Sequence, residues 1–278
     1  MVKPPEQGSP PAANTSNDAD QASPGETASV APASVTWLGH ASAMAELGTA
    51  RVLFDPLGRG RTRQAGAVDV ILITHAHVDH LNRWSLKAAP RSARIVVPRG
   101  AAHLVQDLGF AHVTEMTAGD QLATSGVEIT AVPTRHDNGR WRKTAHPECC
   151  GYVVRPMGGG PAVHHAGDVD FSDHSVFDDI GRQHDIAATL LPIGGMMPGW
   201  YYRMRKHVRD GGIHIDPDCA LQIFDRLGAQ KLVPVHWGTV NLRLGRPSEP
   251  RRRIAAVAGQ AGRTDHVAVL AHGEKLKL

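Results

Sequence analysis

Residues 75–80 read His-Ala-His-Val-Asp-His, directly after the apolar run Val70-Ile71-Leu72-Ile73. This hexapeptide restricts the fold more than any other segment. Its four candidate metal ligands are useful only where the chain turns at the end of a strand and other segments bring further ligands to the same point. Imidazole nitrogen and carboxylate oxygen suit zinc, and imidazole also suits iron and nickel. Strand side chains alternate, so His75 and His77 can point the same way, with Asp79 and His80 following once the chain turns. One metal cannot comfortably take all four, because a catalytic site keeps a position open for water. The natural division is two metals, one served by His75 and His77, the other by Asp79 and His80.

Each metal then needs more ligands, and three residues are placed to supply them. His136 follows the strand-like segment Ala131-Val132-Pro133-Thr134. Asp168 follows Val163-His164-His165-Ala166-Gly167, and His236 follows Leu232-Val233-Pro234-Val235. Groups just beyond the carboxyl ends of strands are the usual active residues of α/β proteins. A carboxylate such as Asp168 can bridge two cations.

The remaining text is consistent with a layered α/β body. Short strands are expected at 35–38, 51–54, 68–74, 94–97, 127–132, 151–155, 162–165, 186–193 and 231–235, with a turn at Gly48-Thr49. A short helix is expected over 84–89 and another over 100–108, ending at Gly109. Asp216-Pro217 reads as a helix start, with Asp as N-cap, Pro at the first position and Gly228 beyond the last turn. Two short strands are expected within 266–278, around His272-Gly273. Residues 1–33 lack aromatic residues and are rich in Pro, Ala, Ser and Gly. They are expected to form a disordered tail that cannot bury enough apolar surface to order itself. The folded domain is then 34–278.

The order His-x-His-x-Asp-His, then His, then Asp, then His resembles the metallo-β-lactamase superfamily. Four further segments narrow the resemblance: Trp37-Leu38-Gly39-His40-Ala41, Phe54-Asp55-Pro56, His214-Ile215-Asp216-Pro217 and Val235-His236-Trp237-Gly238-Thr239. Together they look like the branch with N-acyl-phosphatidylethanolamine-hydrolysing phospholipase D and L-ascorbate-6-phosphate lactonase. The resemblance covers roughly residues 34–255 and implies a four-layer αββα sandwich. It implies that His75, His77 and His136 bind one metal, that Asp79, His80 and His236 bind the second, and that Asp168 and a hydroxide bridge them. The stretch Arg203–Gly212 is longer than the phospholipase pattern before His214.

These readings imply a binuclear metal-dependent hydrolase acting on a phosphodiester or phosphate-bearing ester, with a lactonase on the same centre as the alternative. A non-catalytic metal-binding module is the alternative of another class. Zinc is the first choice of divalent ion, and manganese, iron or nickel suit the same donors. Asp79 or Asp168 is a candidate proton acceptor. His214 is a candidate for orienting substrate, against the plainer reading that it caps or packs beside the helix at Asp216. His40, His164 and His165 are expected to pack or hydrogen-bond near the centre without ligating. Cys219 falls within that helix and reads as core.

Arg135, Arg140, Arg142 and Lys143 flank His136; Arg203, Arg205 and Lys206 precede His214; Arg243 and Arg246 follow His236. Together they suit an anionic substrate, small or lipid. Met196, Met197, Trp200, Tyr201 and Tyr202 could form an apolar lid or a dimer contact. The formal net charge of +3 is too small to argue for nucleic acid. No apolar run reaches membrane-spanning length, which leaves peripheral contact as the only membrane association expected. Three cysteines without regular spacing are no disulfide framework. With no apolar leader at the N-terminus, a cytoplasmic protein is expected.

Overall fold

The computed structural model describes residues 1–2, 33–136, 147–195, 214–239 and 247–278. The chain divides into two units, residues 1–30 and 31–278, and the fold below is that of the second. The expected tail lies outside the described residues except for Met1, Val2 and Ala33; Ala33 already opens the first strand.

Two mixed sheets make up the interior. The first contains β1 (Ala33–Gly39), β2 (Ser42–Leu47), β3 (Ala50–Phe54), β4 (Val70–Leu72), β5 (Arg94–Pro98), β6 (His112–Met116) and β13 (Lys275–Lys277), in the order β13-β1-β2-β3-β4-β5-β6. The second contains β7 (Gln121–Thr124), β8 (Val127–Pro133), β9 (Cys150–Pro156), β10 (Ala162–His165), β11 (Ile186–Pro192) and β12 (Lys231–Val235), in the order β12-β11-β10-β9-β8-β7. Period-two alternation explains why the apolar runs are continuous. Val70 and Leu72 join Val35, Trp37, Val52 and Phe54 in a core shared with Val163, Leu190, Val233 and Val235 of the other sheet. The alternate residues Ile71 and Ile73, with Leu38, Met44 and Leu53, face the opposite way into a separate core. A strand buried on both faces has no polar side. Each such side chain contributes about 1.5–3 kcal/mol by leaving water.

Helices cover the outer faces. Beside the first sheet lie α1 (Arg59–Gln64) and α2 (Arg83–Leu86). Beside the second lie α3 (Val176–Gln183), α4 (Pro217–Leu227) and α5 (Glu249–Gln260), whose Phe177, Ile180, Ala220, Ile223, Phe224 and Ile254 pack with Val153, Ile186 and Leu232. Helix, sheet, sheet and helix layers follow, as expected for an αββα sandwich. The Asp216 carboxylate accepts from the Cys219 N–H at 3.0 Å, Pro217 opens α4, and Gly228 closes it at φ 59°. Cys219 is buried in this helix, as expected.

Some expectations are corrected. Residues 100–108 form two 3-10 turns, Ala102–Leu104 and Gln106–Leu108, and not one α-helix. The segment 266–278 holds one strand, β13, preceded by a 3-10 turn at Thr264–His266, and not two strands. The expected turn at Gly48-Thr49 closes a hairpin between β3 and β2, a strand not expected from the sequence. The described residues include no helix long and apolar enough to cross a membrane.

The topology gathers strand ends. β4 runs parallel to β3, and β1 shares their direction because both β1 and β3 are antiparallel to β2. Likewise β8 and β10 are both antiparallel to β9, and β10, β11 and β12 are parallel. The carboxyl ends of β1, β3 and β4 thus lie at one edge of the first sheet, and those of β8, β10 and β12 at one edge of the second. They lead directly into His40, Asp55, His75, His136, Asp168 and His236.

Candidate metal centre

All eight residues singled out from the sequence converge. Asp168 lies in the middle, 1% exposed. Its Oδ2 is 3.3 Å from His80 Nε2, 3.4 Å from His214 Nε2, 3.7 Å from His75 Nε2 and 3.8 Å from His136 Nε2; its Oδ1 is 3.2 Å from His236 Nε2. Asp79 Oδ2 lies 3.6 Å from His236 Nε2 and 3.9 Å from His80 Nε2. His77 Nδ1 faces His136 Nε2 at 3.3 Å. Ligand atoms of His75, His77, His136 and Asp168 all fall within 4.8 Å of one another, as do those of His40, Asp79, His80 and His236, and those of Asp168, His214 and His236.

A metal fits this arrangement on physical grounds. Neither Asp168 oxygen has a hydrogen-bond partner, and the Nε2 atoms of His75, His80 and His236 are buried without one. Unpaired buried charge is expensive, and buried charges are found paired or on metals. Ligands about 2.0–2.2 Å from a common ion stand roughly 2.8–3.6 Å apart at octahedral or tetrahedral angles. The separations around Asp168 are near that range. His75, His77 and His136 approach from one group and Asp79, His80 and His236 from another, with Asp168 reaching both.

A supporting network sets which nitrogen of each ring is bare. The Asp55 carboxylate is fully buried and accepts from the Thr74 N–H at 2.8 Å, the Thr74 hydroxyl at 2.7 Å and His80 Nδ1–H at 2.8 Å. With Nδ1–H committed to Asp55, His80 Nε2 faces Asp168 and is the nitrogen that would be bare once a cation displaced its proton. The Thr74 hydroxyl spends its one proton on Asp55, so its contact with His75 Nδ1 at 3.1 Å must be accepted from that ring. His75 Nε2 is bare for the same reason. One carboxylate thereby orients a ligand from each group, as outer partners of metal-bound histidines do. Asp55 and Thr74 were not singled out as site residues. The available signal was an acidic residue directly after the buried strand β3, in Phe54-Asp55-Pro56.

Close backbone approaches complete the geometry. Gly167, at φ 66°, would place a Cβ 2.8 Å from the Thr74 side chain, and Gly194 would place one 2.1 Å from the His236 carbonyl oxygen. His165 donates Nε2–H to the Ala41 carbonyl and accepts from the Gly167 N–H. His164 contacts the Thr189 hydroxyl. Both make their contacts within and beside β10, and neither falls in the His/Asp groups around Asp168. His214 is bridged to Asp170 and precedes the α4 cap, yet its ring faces the centre, 5.1 Å from that of His136 and 4.9 Å from that of His236.

Electrostatics follows from burial and neighbours. Burial and the His80 charge hold His75 well below an ordinary histidine pKa, and burial brings His136 down to about 3. Burial also lowers His214 and His236. For His80, burial opposes the charged form, but the Asp168 and Asp55 carboxylates outweigh it and raise the pKa well above the usual value. Burial opposes ionisation of Asp168, and the surrounding His214, His236 and His80 reverse this and hold it well below the carboxylate range. In the metal-free protein the His80 proton thus offsets part of the buried negative charge, and an incoming cation would displace it.

Of the cationic residues expected around the site, Arg135 is exposed beside His136. Arg140, Arg142, Lys143, Arg203, Arg205, Lys206, Arg243 and Arg246 lie outside the described residues. So do the apolar segment Met196–Tyr202 and the long stretch Arg203–Gly212.

Comparison with known proteins agrees with this architecture. A metal-dependent hydrolase of Koribacter versatilis is 31% identical over 77% of this chain and 88% of its own length. The mitochondrial N-acyl-phosphatidylethanolamine-hydrolysing phospholipase D of Saccharomyces cerevisiae is 27% identical over 83% of this chain, which spans about half, 53%, of that enzyme. Igni18, a metallo hydrolase of Ignicoccus hospitalis, shares the fold with a TM-score of 0.67 at 22% identity, over 89% of this chain and 99% of Igni18. The sequence model of the beta-lactamase superfamily domain matches residues 43–237. With the layered sheets and the strand-end His/Asp cluster, that match shows that the chain belongs to the beta-lactamase superfamily.

Proposed function

We propose that the chain is a metal-dependent hydrolase whose centre holds two divalent cations, zinc by donor type, and cleaves a phosphodiester or phosphate-bearing ester. The observation that carries the reading is Asp168: a sealed, unpartnered carboxylate with five imidazole nitrogens at 3.2–3.8 Å. His75, His77 and His136 would hold one ion, Asp79, His80 and His236 the other, and Asp168 both. When bound, two cations supply Lewis-acid activation of water and neutralise charge on the attacked and leaving oxygens.

The chain's own groups divide the remaining tasks. Asp79 is a quarter or less exposed, at 19% of its side chain, while Asp168 is closed to solvent. Asp79 is therefore the better acceptor for the proton of an attacking water that enters from the mouth. Its carboxylate is ionised at neutral pH because burial is outweighed by the His236 and His40 contacts. His214 projects into the centre beside Asp168, where its ring can hydrogen-bond a substrate oxygen. Arg135, exposed beside His136, offers a fork suited to phosphate. The likeness to the yeast phospholipase supports a phosphodiester, including a lipid one, as the first substrate to try.

The test is hydrolysis of bis-p-nitrophenyl phosphate and N-acyl-phosphatidylethanolamine beside a lactone panel, with zinc-loaded and chelated protein. Metal-dependent phosphodiester turnover, lost in His75→Ala and Asp168→Ala, is expected. Full activity after chelation would overturn the mechanism, and turnover confined to lactones would replace the substrate class.

A further inference from the structure

Backbone strain is concentrated at this centre. Among the described residues, four non-glycine residues have positive φ. Ser125 turns the hairpin between β7 and β8. The other three border the metal centre: His40 at 54°, Asp55 at 40° and His236 at 61°. Such conformations are costly for a residue with a side chain and persist only where the surroundings hold them. Asp55 orients His80, and His236 is a candidate ligand. His40 is neither an orienting carboxylate nor a member of either proposed ligand set.

His40 is held through its backbone and its Nε2, and only its Nδ1 has no hydrogen-bond partner. It is completely buried. Its N–H donates to the Thr239 hydroxyl at 2.9 Å, and its carbonyl accepts from Trp37 Nε1–H at 2.9 Å and from the His236 N–H at 2.8 Å. Its ring lies 4.0 Å from that of His236, and its Nε2 meets Asp79 Oδ2 at 2.9 Å. Asp79, by contrast, sits on an exposed turn next to Val78, which is 62% exposed. A carboxylate there is free to swing into water unless something holds it.

We infer that His40 is a positioning residue: its Nε2–H donates to Asp79 Oδ2 and holds that carboxylate against His80 and His236, completing the second ligand set. An ionised carboxylate can only accept, so the proton of this contact belongs to the imidazole. The strained backbone at His40 serves both ligands of the set at once, Asp79 through the ring and His236 through the carbonyl. Asp55 does the corresponding work for His75 and His80. This inference rests on the two-cation reading, and it separates His40 from the ligands with which it clusters. A ligand would present a bare nitrogen to the ion, whereas a positioning residue presents a proton to Asp79.

The test measures metal affinity, not turnover. Zinc is titrated against a chromophoric chelator on the full-length protein, with His40→Asn and His40→Gln. Asparagine tolerates positive φ but its amide falls short of Asp79; glutamine reaches and can donate. Wild type is expected to bind two ions. His40→Asn should keep the first and bind the second about 10–100-fold more weakly, the usual loss for an outer partner of a ligand. His40→Gln should recover most of that loss, and in an Asp79→Asn background the His40 substitutions should have no further effect. Unchanged second-ion affinity in His40→Asn would overturn the inference. So would a His40→Gln variant as weak as His40→Asn, or additive losses with Asp79→Asn, either of which would make His40 a ligand. If His40→Asn does not fold, His40→Gln decides alone, with near wild-type affinity expected and a tenfold-scale loss overturning the role. A wild type that binds one ion would instead overturn the two-cation reading itself.

Discussion

Asp55→Asn changes one oxygen to one amide nitrogen inside a fully buried network. Two orientations are open to the amide, and both fail. If its oxygen keeps the Thr74 hydroxyl and His80 Nδ1–H, its NH2 faces the Thr74 N–H, donor against donor. If it flips, its NH2 faces His80 Nδ1. The His80 proton must then move to Nε2, where it blocks the position that faces Asp168. The metal-free protein also loses the carboxylate that pairs with the raised-pKa His80. Breaking such a buried pair costs roughly 3–5 kcal/mol. For a domain of this size each kcal/mol lowers Tm by about 2–4 °C, so the expected drop is about 6–20 °C. Metal affinity should fall about 10–100-fold, because both His80 and, through Thr74, His75 lose their orientation. The assay is differential scanning calorimetry of chelated protein, followed by zinc competition on the same sample. An unchanged Tm and unchanged zinc affinity would refute the reasoning.

Other outcomes follow from the same network. Gly194→Ala puts a Cβ against the His236 carbonyl, so the β11–β12 edge must shift; loss of zinc binding with a lowered Tm is expected, and normal zinc affinity would contradict it. Trp37→Ala removes a buried indole that stacks on Trp237 at 4.9 Å and donates to the His40 carbonyl, costing about 3–5 kcal/mol, readable by urea unfolding. In chelated protein, acid should destabilise. The folded pKa values of His75, His136, His214 and His236 lie below the ordinary 6.5, so as pH falls below that value the unfolded chain takes up protons that the folded one does not. Each contributes a slope of about 1.4 kcal/mol per pH unit in that window. His80, with a raised value, stabilises below 6.5 and loses this as pH rises through its folded pKa; it is one group against four. A Tm higher at pH 5 than at pH 7 would contradict this balance.

The candidate centre was legible in the sequence because its candidate ligands are tied to strand ends by spacing. His136, Asp168 and His236 each close an apolar run, and a run that stops at a polar residue marks where a buried strand surfaces. Asp55 is the same kind of residue after β3, but one carboxylate carries no ligand pattern, and its hydrogen bonds to Thr74 and His80 are tertiary. His40 lies in a recognisable segment, yet its task depends on a positive φ and on a loop distant in sequence. The elements misread were those with weak periodicity. Residues 100–108 hold Gly100 and two short turns where a helix was expected. The segment Ser42–Leu47 alternates small and large apolar residues with one glutamate, and became a strand between two that had been recognised. The β13 strand is only three residues, Lys275–Lys277, defined by pairing with β1 and not by its own composition.

The most direct measurement is anomalous diffraction from a zinc-loaded crystal, collected on both sides of the zinc absorption edge. Two peaks are expected, one bordered by His75, His77 and His136 and the other by Asp79, His80 and His236, with the Asp168 carboxylate between them. A single peak, or zinc lying away from Asp168, would contradict the two-cation centre.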